Sequence, residues 1–363
     1  MARAGAMPSP TTTGPGRLTP LTGFGTNPGA LLGYAHVPRD LPASAPLVVV
    51  LHGCTQTAAG YDQGSGWSQL ADRAGFALLF PEQTRANNPN LCFNWFASED
   101  TGQLGGEAES IAQMTETMIA LHGLDRQRIY VTGLSAGGAM TMAMLATRPD
   151  LFAGGAVIGG IAYGTATGMS QAFDRMRGHD DTSDRALVDA VRSGARGHEG
   201  RWPTLAIWHG GADATVSVSN ADTIARQWRG VHGVDATAMR TERVGTAIHR
   251  IWSDAEGRDV VEDWTVPGMG HGTPIDPSRG DRLGAAGPYM LDVGISSTAV
   301  IAESWGLVTT RKTETAAKPM PVERMAKVAI PVTPKPAPKP RAEAPGSIQA
   351  TIENALRAAG LMR

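Results

Sequence analysis

Short apolar runs alternate with helical patterns along most of this chain. Uninterrupted apolar runs predict strands at 47–51, 76–80, 129–132, 156–158 and 204–209, with Pro81 closing the second. Apolar positions at helical spacing predict helices at 67–74, 107–122, 139–147 and 220–231. Later runs at 248–252 and 259–266 are typical of a strand pair, and 299–305 of a closing helix. This alternation predicts an α/β fold with a mostly parallel central sheet and helices on both faces.

The two ends of the chain lack this pattern. Residues 1–17 are rich in Pro, Thr and Gly without the apolar stretch of a secretion signal, so we expect a flexible segment. Residues 311–345 hold eight Lys or Arg and eight prolines against three Glu, which predicts an extended linker. Residues 346–363 predict a short amphipathic helix that docks on the body or, as the alternative, contacts a polymer or granule. The domain expected to carry the chemistry is therefore 18–310.

Composition and charge narrow the classes of function. The 363 residues are 42 % hydrophobic, enough for a sizeable core, and no apolar run reaches the roughly 18 residues that span a bilayer. The net charge of −2 provides no basic surface for nucleic acid. Nucleotide enzymes are disfavoured, because the chain has no Gly-Lys pair and no G-x-G-x-x-G after a strand.

A candidate nucleophile lies where a predicted strand meets a predicted helix. Residues 133–137 read G-x-S-x-G around Ser135, and small flanking residues permit the sharp turn that exposes a serine hydroxyl. An ordinary Gly-rich turn is the alternative, since the pattern alone is weak. The strand before it and the helix after it favour a nucleophile.

A serine nucleophile needs a base and an acid that orients the base. Asp213 follows the strand at 204–209, and His271 lies in a Gly-rich loop after the strand at 259–266. The chain order Ser135, Asp213, His271 is that of α/β-hydrolases. The alternatives are that Asp213 only builds a turn and that His271 is an ordinary loop residue.

An ester's tetrahedral intermediate also needs amide donors for its oxyanion. We expect these from the backbone N–H groups of Ala136 and of Cys54, in the loop after the first strand; a simple turn is the alternative there. Cys54 and Cys92 are the two cysteines, and they form either a disulfide or two separate buried thiols. They cannot make a four-ligand zinc site alone, so we expect no metal and no cofactor.

Six segments in this order resemble the esterase family of poly(3-hydroxybutyrate) depolymerases. They are 51–56 (LHGCTQ), 80–83 (FPEQ), 92–96 (CFNWF), 133–138 (GLSAGG), 209–216 (HG with Asp213 and Val216) and 270–272 (GHG), within a resemblance over about 18–306. The resemblance implies an α/β-hydrolase fold, the triad of Ser135, Asp213 and His271, a Cys54 oxyanion amide and a disulfide involving that cysteine. It also implies a usually secreted enzyme.

These expectations describe a serine esterase that acts through an acyl-enzyme, most simply a poly(3-hydroxybutyrate) depolymerase. A feruloyl or acetylxylan esterase is the alternative within the family, and a peptidase or a non-catalytic polymer-binding module is the alternative outside it. The candidate substrate-binding residues are Trp95, which could equally be core, and His52. We expect an ester or polyester substrate and an extracellular or periplasmic location, with a cytoplasmic one as the alternative.

Overall fold

The computed structural model describes residues 16–278, 280 and 282–308. The strands in this part of the chain are β1 Thr19–Leu21, β2 Leu32–His36, β3 Leu47–Leu51, β4 Ala77–Glu82, β5 Ile129–Leu134, β6 Gly154–Ile158, β7 Thr204–Gly210, β8 Met239–Val244, β9 Ala247–Ser253, β10 Asp259–Val266, β11 Thr273–Ile275 and β12 Met290–Asp292. The helices are α1 Ala58–Ser65, α2 Trp67–Ala74, α3 Ser98–Thr101, α4 Gly106–His122, α5 Ala136–Thr147, α6 Met169–Met176, α7 Asp184–Gly194, α8 Ser219–His232 and α9 Ser297–Ser304.

One ten-stranded sheet organises these elements, in the order β1-β2-β4-β3-β5-β6-β7-β10-β9-β8. The six strands from β4 to β10 in that order pair in parallel, and the two strands beyond each end pair antiparallel. Strands β11 and β12 form a separate parallel pair. Parallel strands present their carboxyl ends at one edge, so the loops after β3, β5, β6, β7 and β10 meet there.

Two apolar cores cover the two faces of the sheet. In β3, Leu47, Val49 and Leu51 pack into one core, while Val48 and Val50 pack into the other. The first core takes residues from α4, α5, α7 and α8; the second takes residues from α1, α2 and α9. A strand buried on both faces can be apolar at every position, which explains the uninterrupted run in the sequence. The predicted α/β fold with helices on both faces is confirmed.

Most of the predicted elements agree with the structure to within a few residues, and β9 and β10 form the expected antiparallel pair. Pro81 does not close β4, which continues to Glu82 and pairs Pro81 with Gly33 of β2. The ladder from β4 to β3 ends at Leu79, so the missing N–H of Pro81 leaves no gap in it. The sequence analysis did not include β1, β2, β8, β11, β12, α1, α3, α6 or α7.

The predicted linker at 311–345 and helix at 346–363 lie outside the described residues, as does nearly all of the segment 1–17. Among the described helices, none has both the length and the apolarity needed to cross a membrane.

Candidate active site

Ser135 occupies a strained turn between β5 and α5. Its φ of 57° and ψ of −118° belong to a region that glycine adopts more easily than serine. Ser135 is partly exposed. Its N–H donates to the carbonyl of Ile158 at the end of β6, at 2.8 Å. A Cβ on Gly137 would lie 2.5 Å from the carbonyl oxygens of Leu51 and His52, so glycine lets α5 approach the loop after β3. The turn therefore presents the serine side chain at the carboxyl edge of the sheet.

The loop after β3 carries the first predicted oxyanion donor, Cys54. The second, Ala136, begins α5, where the first backbone N–H groups of a helix have no partner within it. The close approach at Gly137 brings these two segments together. The two segments that carry the predicted donors therefore lie next to each other at the serine turn.

A disulfide joins Cys54 to Cys92, as predicted. A backbone hydrogen bond of 2.7 Å from Thr55 to the carbonyl of Asn90 ties the same two segments. The segment that contains Asn90 and Cys92 is held in turn by Glu107 of α4, whose carboxylate accepts the N–H of Asn94 at 2.9 Å. The loop that carries the Cys54 amide is therefore fixed from outside its own strand.

His52 is buried, and both of its ring nitrogens are engaged within the protein. Nδ1 donates to the carbonyl of Gly53 at 2.8 Å, and Nε2 accepts the N–H of Gln83 at 3.1 Å. Burial lowers the pKa of His52 to about 4, so the ring is neutral at pH 7. These contacts favour a structural role in the loop over the substrate contact that the sequence analysis expected.

Asp213 and His271 lie together on adjacent loops, after β7 and β10. The loops continue the parallel pairing of their strands: Gly211 donates to the carbonyl of Val266 and Ala212 to that of Met269, both at 2.9 Å. His271 Nδ1 lies 2.6 Å from Asp213 Oδ2, and the other carboxylate oxygen accepts two backbone N–H groups. Burial pushes the pKa of Asp213 upward, but the hydrogen bond and charge of His271 outweigh it and hold that pKa below its usual value.

Gly159 connects the serine turn to the histidine loop. It follows Ile158, the residue that accepts the Ser135 N–H, and has a φ of 54°. A Cβ on Gly159 would lie 3.1 Å from Cε1 of His271 and 3.6 Å from Asp213 Oδ2. The end of β6 thus neighbours both the serine turn and the Asp213–His271 pair.

The sequence analysis assigned no role to His209, which packs behind Asp213. Its side chain is fully buried, and Nε2 donates to the carbonyl of Val216 at 2.9 Å and lies 3.5 Å from Asp213 Oδ2. Burial lowers its pKa, opposed by the hydrogen bond to Val216. The sequence signal was its position, at the strand end four residues before Asp213.

Trp95 lies beside the site rather than in the main cores. It is partly buried against a small cluster of Ala139, Ile161 and Val216. These residues belong to α5, to the loop after β6 and to the loop after Asp213, the elements that carry the site. This location is compatible with the predicted apolar wall for an acyl group.

Within the described ranges, no group of three or more His, Cys, Asp or Glu side chains could hold a metal ion. The arrangement offers a hydroxyl on a strained turn, an imidazole paired to a carboxylate, and two backbone segments with amide donors. These are the parts that acyl transfer through a serine requires.

The chain is similar in sequence to one family of esterases and depolymerases, and similar in structure to a solved esterase. The family described as Esterase PHB depolymerase matches residues 34–250. Poly(3-hydroxyalkanoate) depolymerase C of Paucimonas lemoignei is 46 % identical over 292 residues, 80 % of this chain and 70 % of that protein. Acetylxylan esterase A of Emericella nidulans is 30 % identical over 269 residues, 72 % of this chain and 86 % of that protein. Among solved structures, an acetyl xylan esterase from Aspergillus awamori superposes with a TM-score of 0.69 at 27 % identity, covering 81 % of this chain and 100 % of that one.

Proposed function

Because the chain belongs to the esterase PHB depolymerase family and is an ester hydrolase, we propose that it cleaves polyesters of 3-hydroxyalkanoates through an acyl-enzyme on Ser135. The observation that carries the mechanism is the 2.6 Å contact of His271 with Asp213 beside the Ser135 turn. The substrate class rests on the 46 % identity to a poly(3-hydroxyalkanoate) depolymerase.

In the first half of the proposed reaction, Ser135 Oγ attacks the ester carbonyl as His271 Nε2 takes its proton. Asp213 holds the Nδ1–H of the ring and stabilises the imidazolium. The Ala136 and Cys54 amides donate to the oxyanion, and His271 then protonates the leaving alcohol. Water repeats these steps on the acyl-enzyme and releases the acid.

Two supporting residues complete the proposed site. His209 Nε2 donates to the carbonyl of Val216 and lies 3.5 Å from Asp213 Oδ2, so its ring packs behind the carboxylate and helps to hold it in place. Trp95, packed on Ala139 and Val216, forms an apolar wall beside the acyl group.

An acetylxylan or feruloyl esterase is the second candidate. The relatives with those names are 29 to 31 % identical to this chain, and the superposed acetyl xylan esterase has the same overall fold. For location, we propose an oxidising compartment, since the Cys54–Cys92 disulfide would not persist among cytosolic reductants. Contact of residues 346–363 with polymer stays a prediction.

The test compares turnover on poly(3-hydroxybutyrate), methyl ferulate and acetylated xylan, with wild type and Ser135→Ala. We expect the polyester to be preferred and the variant to lose on the order of 10⁴ to 10⁶ in kcat on every ester. A phosphonate should label Ser135 in the wild type and label nothing in the variant. Comparable turnover by Ser135→Ala would overturn the mechanism, and preference for ferulate or acetylated xylan would overturn the substrate.

A further inference from the structure

Tyr289 lies against the ring of His271 but belongs to none of the six segments that indicated the site. The two ring centroids are 6.2 Å apart and the ring planes meet at 82°, an edge-on contact. Tyr289 is partly buried at the margin of the second core. It therefore neighbours the group that moves the proton.

The backbone of Tyr289 adopts a conformation that its residue type disfavours. The N–H of Met290 donates to the carbonyl of Gly287 at 3.0 Å, which closes a four-residue turn with Pro288 second and Tyr289 third. Tyr289 has a φ of 62°, where such turns usually have glycine or asparagine. Its carbonyl accepts the N–H of Thr273, two residues after His271, at 2.8 Å. The strained turn is thus tied to the histidine loop.

The hydroxyl of Tyr289 is available to a ligand. Among the described residues it has no hydrogen-bond partner, and burial raises the pKa of the phenol, so it is a neutral donor at pH 7. A phenol that is half-buried beside a reacting imidazole and has no internal partner is suited to contact a substrate.

We propose that Tyr289 determines specificity on the leaving-alcohol side, where its ring packs beside the alcohol and its hydroxyl donates to the carbonyl of the next ester along the polymer. This inference rests on the proposed function. We assign the alcohol side because the alcohol leaves next to the His271 ring that gives it a proton, and Tyr289 contacts that ring edge-on. Trp95 lies with Ala139 and Ile161 on other elements and serves the acyl side.

This assignment separates the two half-reactions. In acylation the Ser135 Oγ–carbonyl bond forms and the alcohol leaves with a proton from His271. In deacylation the alcohol is gone, and water attacks the same acyl group. A residue that contacts the alcohol affects the first half-reaction, whereas one that only positions His271 affects both.

The experiment compares two substrates that share the same acyl group, methyl 3-hydroxybutyrate and the linear 3-hydroxybutyrate trimer. In the trimer, the cleavage of interest is at the bond whose leaving alcohol still carries an ester. For Tyr289→Phe we expect kcat/KM on the trimer to fall about 5- to 10-fold, the effect of one neutral hydrogen bond, with the methyl ester within about twofold. The deacylation rate, from the steady state after a para-nitrophenyl ester burst, should be unchanged.

Two further variants test the alternatives. Tyr289→Gly suits the turn but removes the ring as well as the hydroxyl, so it should lose more of the trimer activity than Tyr289→Phe. The matched control Tyr34→Phe removes the hydroxyl of a partly buried tyrosine on β2. Its kcat/KM should match that of wild type on both esters. An equal loss of Tyr289→Phe on both esters, or slower deacylation, would overturn the proposal.

Failure of the proposed function gives a different result. Wild-type enzyme without turnover of the trimer or polymer would reject the polyester substrate. The same comparison then uses methyl acetate against an acetylated xylo-oligosaccharide, in which the alcohol again differs and the acyl group does not. A selective loss on the larger alcohol supports the role of Tyr289, and an equal loss rejects it.

Discussion

Replacing Ser135 by glycine should stabilise the protein while abolishing its activity. The φ of 57° at Ser135 costs a residue with a side chain about 1 to 3 kcal/mol. Glycine removes that cost but adds roughly 0.5 to 1 kcal/mol through the greater freedom of the unfolded chain. Alanine keeps the cost, so we expect Ser135→Gly to be about 1 kcal/mol more stable than Ser135→Ala. For a domain of this size that is roughly 1 to 2 °C in Tm.

The assay is urea unfolding and calorimetry on both variants. Because both lack the serine hydroxyl, they differ only in the Cβ that makes a positive φ costly. Ala195→Gly is the matched control, because Ala195 has a φ of −76° and glycine there brings the entropic cost without relief. We expect Ala195→Gly to be destabilised. If Ser135→Gly is no more stable than Ser135→Ala, the turn stores no strain and the reasoning fails.

Two more predictions concern the disulfide and the response to acid. Cys54→Ser/Cys92→Ser opens a loop with a sequence separation of 38, which should cost about 4 kcal/mol in urea unfolding and lower kcat by loosening the Cys54 amide. Two titratable thiols in denatured, unreduced wild type would contradict the bond. Burial lowers the pKa of His232 to about 4, so the unfolded state binds more protons between pH 4 and 6.5 and stability falls as the pH drops through that window. His232→Gln should flatten this fall by at most about 3 kcal/mol, measured by urea unfolding at pH 7, 5.5 and 4; parallel curves would refute it.

The elements that the sequence predicted well are those whose own pattern of apolar residues shows which positions are buried. The fully apolar β3 and the helical spacing of α4 needed no knowledge of their neighbours. The edge strand β8 is exposed at every position, so it has neither an apolar run nor alternation to detect. Its pairing with β9 is a property of the assembled sheet.

The same distinction applies to the site. Asp213 and His271 could be proposed together because both follow strands whose carboxyl ends share one edge. The role of His209 depends on a distance to Asp213 that no sequence pattern encodes. Tyr289 joins the site through the Thr273 hydrogen bond and the Gly287–Met290 turn, and only the Gly-Pro pair before it indicated that turn. Both residues were missed because long-range packing gives them their neighbours.

Three residues near the candidate site have strained backbone, which explains why this part of the protein needs support from distant elements. Thr55, Ser135 and Tyr289 all have positive φ, and a β-branched residue such as Thr55 is particularly disfavoured there. Each is held by a contact from elsewhere: Thr55 by the Asn90 carbonyl and the neighbouring disulfide, Ser135 by β6, and Tyr289 by the histidine loop. Local preference alone would relax all three positions. Their geometry therefore depends on contacts with distant segments of the folded sheet and on the Cys54–Cys92 bond. Removing one of these contacts should lower the activity before it unfolds the core.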